Sequence, residues 1–191
     1  YGRAHNQFLL SSRTDFHLIL NPDVVLDRES LMEGLTYLAD NPEAALVGPY
    51  GSDENDKPAK LAKRYPALLD LLLRGFAPPL VKNWFRNRLS LYEYADLNHY
   101  RPSKVTTISG CMMLGRTDLL IQIGGFDPSF FLYFEDFDLS LRAASLGEII
   151  YLPTMKIIHY GGHTANKGAA HIILFIGSAF KFFNKHGWRF F

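Results

Sequence analysis

Phe16-His17-Leu18-Ile19-Leu20-Asn21-Pro22-Asp23 is the stretch on which the fold turns. A brief apolar run empties into an Asx-Pro turn, the pattern of a buried strand ending in a polar loop. Downstream, Asp27 is placed to N-cap a helix through about Asn41, with Leu31, Leu35 and Leu38 spaced by four and three. Asn41-Pro42 stops that helix, and Ala44–Val47 reads as the next strand. Strand, helix and strand in sequence argue for an α/β layer with a parallel pair. Upstream, residues 3–12 suit a short helix with Ala4, Phe8 and Leu9 on one side.

Further along, Gly51–Lys63 is polar and charged and reads as a solvated loop. Leu68–Leu73 and Leu80–Tyr94 read as helical, split by Pro78-Pro79. Val105–Leu114 is strand-like with an interruption at Ser109-Gly110, and Thr117–Ile123 is a short helix closed by Gly124-Gly125. Asp136–Leu146 predicts another helix, and Ile149–Leu152 and Met155–His159 predict two short strands around Pro153. Ala169–His186 is a final amphipathic helix. The division expected is a 1–168 α/β domain followed by the 169–191 helix, a candidate for contact with a membrane surface.

A chain of 191 residues suits one domain with a real core. Apolar residues at 48% and charged residues at 20% exclude wholesale disorder. The net charge of +1, without a clustered basic excess, argues against a nucleic-acid partner. One cysteine, Cys111, rules out an internal disulfide framework and suits a reducing compartment; set between Gly110 and an apolar run, it reads as a small hydrophobe and not a nucleophile. No segment reaches the ~18–20 apolar residues that span a bilayer, and the first residues do not read as a signal peptide. Phosphate-loop, dinucleotide-fingerprint, zinc-spacing and nucleophile-elbow motifs are all missing.

Several constellations can carry chemistry. Asn21-Pro22-Asp23 stands where the carboxyl end of a strand would present a ligand, so Asp23 reads either as a ligand to a hard divalent cation or as part of a turn. Phe130–Asp138 sets Glu135, Asp136 and Asp138 against a dense aromatic run; desolvation there raises a carboxyl pKa and strengthens it as a base. The competing reading makes Asp136 an N-cap and Asp138 a partner of the helix dipole. His159 ends a predicted strand before Tyr160-Gly161-Gly162-His163 and is either a metal ligand or structural. Gly110 marks a bulge or a close approach to substrate. The last helix, with Lys181, Lys185, Arg189 and Trp188, either lies at a membrane interface or packs on the domain's own sheet.

Taken in order, these pieces resemble family 2 glycosyltransferases of the GT-A fold, in particular bacterial rhamnosyltransferase-like members. The matching segments are Gly2–Asn6, Leu20–Val24, Ser109–Met113, Gly124–Asp127, Phe131–Arg142, Met155–His159 and Phe182–Trp188. The resemblance implies a mixed, truncated Rossmann-like α/β sheet flanked by helices. It also implies inverting transfer of a sugar from a nucleotide-diphosphate donor to an acceptor hydroxyl, with rhamnose from dTDP-rhamnose as the branch's donor and bacterial surface polysaccharide, including O-antigen, as the setting. By the same resemblance Asp23 and His159 hold Mg²⁺ or Mn²⁺, and Asp136 with Glu135 forms the catalytic acidic pair. Asn21, Ser109, Gly110, Arg3 and Asn6 border the donor, while Tyr133, Phe134 and Asp138 face the acceptor. The acceptor is lipid-linked or a saccharide, and the location is cytoplasmic, peripheral on the inner membrane. Relatives begin with βα units that grip the nucleotide base, and at least one unit of ~30 residues is expected upstream. An incomplete domain would expose a sheet edge and favour oligomers. The alternatives are the same scaffold with a UDP-hexose donor, or a catalytically dead interaction or membrane-binding module.

Overall fold

The computed structural model describes residues 2–160 and 168–191. In chain order the first elements are α1 (Gly2–Leu9), β1 (Phe16–Leu20), β2 (Val24–Leu26), α2 (Arg28–Asp40) and β3 (Ala44–Ser52). An insert follows: β4 (Pro58–Ala59), β5 (Ala62–Lys63), α3 (Leu68–Phe76), α4 (Pro79–Trp84), α5 (Arg86–Tyr92) and β6 (Ser103–Lys104). The chain then forms β7 (Thr107–Ile108), β8 (Met112–Arg116), α6 (Thr117–Gln122), α7 (Glu135–Ala143), β9 (Glu148–His159) and α8 (Ala169–His186).

The main sheet has the order β1-β8-β3-β9-β2, with β4 on β3 and β6 on β9, while β5 and β7 form a small separate ribbon. β8 runs antiparallel to both β1 and β3, and β3 runs parallel to β9. The strands β1, β3 and β9 therefore point the same way. The strand–helix–strand unit expected to supply the parallel pair does not: β8 slots between β1 and β3, which run the same way without pairing, and the parallel pair is β3–β9. The turn after β1 and the end of β9 thus emerge at one edge of the sheet, where ligands of open α/β sheets bind.

Neighbouring residues of a strand point to opposite faces, and the core divides accordingly. Leu46 and Met113 join Ile19, Leu120, Phe126 and Leu139 on one side; Val47, Met112 and Leu114 join Leu38 and Met155 under α2 on the other. Asp27 caps α2 as its position predicts, accepting a hydrogen bond from Ser30 N at 2.6 Å. A third cluster ties α8 to α3 and to the start of α7 through Leu71, Phe130, Phe134, Ala179, Phe182 and Phe183.

Two expectations change. Pro153 lies inside one continuous strand and does not divide two. The register with β3 jumps from Pro49↔Leu152 to Tyr50↔Lys156, so the proline falls in a bulge where no ladder donor is required. Gly51–Lys63 is not a simple solvated loop either, for Ala62 and Lys63 pair with β7 and Ala62 is buried.

Candidate active site

The site forms around the break Ser109-Gly110-Cys111 that separates β7 from β8. On one side, Asn21 at the end of β1 donates its backbone N–H to Cys111 O at 2.8 Å. On the other, Asp136 on the first turn of α7 accepts from Gly110 N at 3.0 Å. A Cβ on Gly110 would stand 3.2 Å from Asp136 Cβ, so glycine is what lets the acid lean on this backbone. Asp136 does not cap α7; Phe134 occupies that position, and Asp136 reaches across to another segment instead.

Entry into α7 is strained. Tyr133 and Phe134 both adopt left-handed backbone, with φ of 68° and 64°, at a cost of ~1–3 kcal/mol each. The Phe134 ring offsets that cost by packing 5.2 Å from Phe175 and 5.2 Å from Phe182. This reversal delivers Glu135 and Asp136 side by side. Burial raises the Asp136 carboxyl above its ordinary value, against the pull of its backbone hydrogen bonds and the Lys63 charge. Burial, then repulsion from Asp136, pushes Glu135 up to about 7. Glu135 Oε2 is buried without a hydrogen-bond partner among the described residues.

Across the break, the β2–β9 pairing sets Val24 opposite His159. Tyr160 N donates to Asp23 O at 2.9 Å, and His159 Nε2 stands 3.4 Å from Asp23 Oδ2. Two residues 136 positions apart in sequence thus share one corner of the sheet. Asn21, two residues before Asp23, has its Oδ1 buried with no hydrogen-bond partner among the described residues. An oxygen acceptor, a carboxylate and an imidazole are donors that suit a divalent cation. Among the described residues no group of three or more His, Cys, Asp and Glu comes together. Gly161, Gly162 and His163 lie outside the described residues.

Some contributors are not visible in the sequence. Lys63 keeps only 11% of its side chain exposed, donates to Lys60 O, and stands 3.9 Å from Glu93 Oε1. Burial, then the Arg74 charge, pushes its ammonium down to about 7, and its charge acts on Asp136. Burial also pushes the Tyr92 phenol up. Both belong to the insert, where Lys63 sits in a polar, charged stretch and Tyr92 at a helix end. Neither position has a local signal of burial beyond the alternation Tyr92-Glu93-Tyr94.

No family model matches the chain. It is 27% identical over 178 residues to N-acetylglucosaminyl-diphospho-decaprenol L-rhamnosyltransferase of Mycobacterium tuberculosis, in strains CDC 1551 / Oshkosh and ATCC 25618 / H37Rv. That match covers 91% of this chain and 57% of the relative. It is 24% identical over 174 residues to rhamnosyltransferase WbbL of Escherichia coli K12, covering 85% of this chain and 62% of the relative. Among solved structures, GalNAc-T7 with UDP, GalNAc and Mn²⁺ superposes with a TM-score of 0.55 at 12% identity, over 82% of this chain and 30% of that one. The chain is a homologue of bacterial rhamnosyltransferases and carries the GT-A fold. The chain spans somewhat over half the length of the curated relatives it matches.

Around this corner of the sheet, the fold links Asn21 to Cys111, Gly110 to Asp136 and Asp23 to His159, with Ser109 and Glu135 as chain neighbours. Other expected site residues serve elsewhere. Asp138, expected to face the acceptor, is fully buried and bonded to Arg142, Lys185 and His186, so it pins α8 to α7. Phe134 is a core ring and not a sugar platform, while Phe131 stands 75% exposed. Tyr133 is half-buried, its hydroxyl 3.1 Å from His171 Nδ1. The Asn6 amide is spent on structure: Nδ2 donates to Phe126 O at 2.7 Å, and Oδ1 accepts from Phe126 N at 2.8 Å. Arg3 is exposed on the first turn of α1. Cys111 is buried and its thiol is pushed up to about 11 by that burial, in keeping with a packing role.

Proposed function

We propose that this chain carries the transfer chemistry of an inverting glycosyltransferase that moves rhamnose from dTDP-rhamnose to a hydroxyl of a lipid-linked saccharide, on the cytoplasmic face of a bacterial membrane, in surface-polysaccharide synthesis. The observation that supports it most is the shared backbone break. The acid pair leans on Gly110 from one side, and Asn21 bonds Cys111 from the other. The names of the relatives favour rhamnose and a lipid-linked acceptor. A UDP-hexose donor on the same scaffold is the rival.

Asp136 takes the proton of the acceptor hydroxyl as that oxygen bonds to the anomeric carbon. The bond from carbon to the diphosphate oxygen breaks on the opposite face, so a single displacement inverts the centre. Glu135 is the second reading for the base, favoured by an Oε2 without a partner among the described residues and a pKa near neutrality. Ser109 and Gly110 border the donor sugar. Asp23 and His159, with Asn21 two residues before Asp23, fit Mg²⁺ or Mn²⁺. Such an ion, when bound, supplies positive charge for the leaving diphosphate. Arg3, exposed at the start of α1, is available to the nucleotide.

The test uses a chain with its upstream residues restored. Asp136→Asn is expected to lower transfer about 10²–10⁴-fold while calorimetric binding of dTDP-rhamnose persists. Lost binding would make Asp136 structural, and the same loss from Glu135→Gln alone would move the base to Glu135. Titration of dTDP-rhamnose and UDP-glucose, with metal and with chelator, separates the donors. Silence from both favours a catalytically dead module.

A further inference from the structure

The insert α3–α5 leaves a row of large apolar side chains uncovered. Leu72 and Phe76 lie one turn apart on α3, and Leu80 and Trp84 one turn apart on α4. The exposures of Leu80 and Trp84 are 65% and 74%, and Phe85 and Leu91 are exposed as well. From Leu71 to Tyr92 the chain holds Arg74, Lys82, Arg86 and Arg88 and no Asp or Glu at all. Lys82 Nζ donates to Arg74 O, and neither Lys82 nor Arg86 has an ion pair among the described residues, while Arg74 bonds Glu93 and Arg88 bonds Asp70. The C-terminal segment runs alongside, with Leu68 N donating to Arg189 O and Leu69 N to Phe190 O. It adds Arg189 and the exposed rings of Phe190 and Phe191 beside the start of α3.

We propose that α3–α5, with the C-terminal residues beside α3, is the face on which this protein docks on an anionic lipid bilayer. Exposed aromatic and aliphatic side chains interleaved with cations, the flanking acids Asp70 and Glu93 being held in ion pairs, are the composition of an interfacial surface. Charge decides between this face and α8. Although α8 also exposes Ile173, Ile176 and Phe180, among the described residues only Lys181 of its two lysines is without an ion pair, against both Lys82 and Arg86 on the insert. Lys185 bonds Asp127 and Asp138, and Lys181 donates to Ser129 O. The helix at the end of the chain is therefore chiefly a packing element, held by Phe182 and Phe183. The inference extends the lipid-linked acceptor reading, but its test needs neither donor nor acceptor.

The assay is co-sedimentation of the chain with vesicles of phosphatidylcholine alone or mixed with phosphatidylglycerol. Binding is expected only to the mixed vesicles. Lys82→Gln with Arg86→Gln should weaken it about 25-fold, at roughly fivefold for each charge. Leu80→Ser with Trp84→Ser should weaken it at least about tenfold. In a Trp188→Phe chain, where Trp84 is the one remaining tryptophan, emission should move to the blue as mixed vesicles are added. That substitution leaves α3–α5 untouched and keeps an aromatic ring against Phe190. Failure to bind, or binding indifferent to both pairs, overturns the proposal. So does binding that survives them and is lost in Ile173→Ser with Phe180→Ser, which places the contact on α8. Trp84 already shielded from iodide in a self-associated chain overturns it in favour of a dimer.

Discussion

Replacing Glu135 by glutamine isolates the electrostatic cost of the candidate acid pair. The carboxyl rises from its ordinary 4.5 to about 7, first because it is buried and second because Asp136 stands beside it. That gap corresponds to about 3 kcal/mol at 1.36 kcal/mol per pH unit, and partial hydration of a half-buried group trims it to roughly 2 kcal/mol. The sign follows from linkage. Between the unfolded value and about 7 the folded chain holds the proton that the unfolded chain has released, so stability falls as pH rises through that window. Glu135→Gln carries no such penalty. Urea unfolding of both proteins from pH 4.5 to pH 8 should start with similar stabilities and end with the variant ahead by roughly 2 kcal/mol. In an Asp136→Asn background the step should shrink without vanishing, since burial is the larger cause. A difference that stays flat across this range would refute the buried acid pair on which the catalytic reading leans.

Asp138→Asn should cost about 3 kcal/mol, because Arg142, Lys185 and His186 would face a neutral group, and thermal unfolding measures it. Unchanged stability would show that α8 is held by its rings alone. Gly125→Ala should cost about 2–3 kcal/mol, since φ is +64° there and the new Cβ would collide with Asn6 Oδ1; a loss under ~1 kcal/mol would mean that the Asn6–Phe126 latch yields freely. Asp23→Ala should abolish any dependence of donor binding on Mn²⁺ in calorimetry with and without chelator. Persistence of that dependence would remove Asp23 from the candidate metal set.

Where local pattern and tertiary demand agree, the chain is legible. The β1 run, the Asp27 cap and the limits of α8 are all visible in spacing and turn chemistry. Pro153 misleads because a bulge, not a break, absorbs its missing N–H. The insert misleads differently. Ala62 and Lys63 are short and polar in context, and what buries them is the β7 segment some 44 residues on. In the acidic run, Asp136 and Asp138 look alike as letters. Two positions around a helix turn one toward Gly110 and the other toward the cations of Arg142 and α8.

Sequence by itself determined the layer type, the strand that ends in Asn21-Pro22-Asp23, and which residue types stand in reach of transfer chemistry. These are carried by periodicity, caps and the order of motifs along the chain. Tertiary structure decided the rest, because desolvation and partnership are properties of neighbours distant in sequence. It set His159 beside Asp23, spent the Asn6 amide on Phe126, buried Asp138 under three cations, and left Glu135 Oε2 without a partner among the described residues.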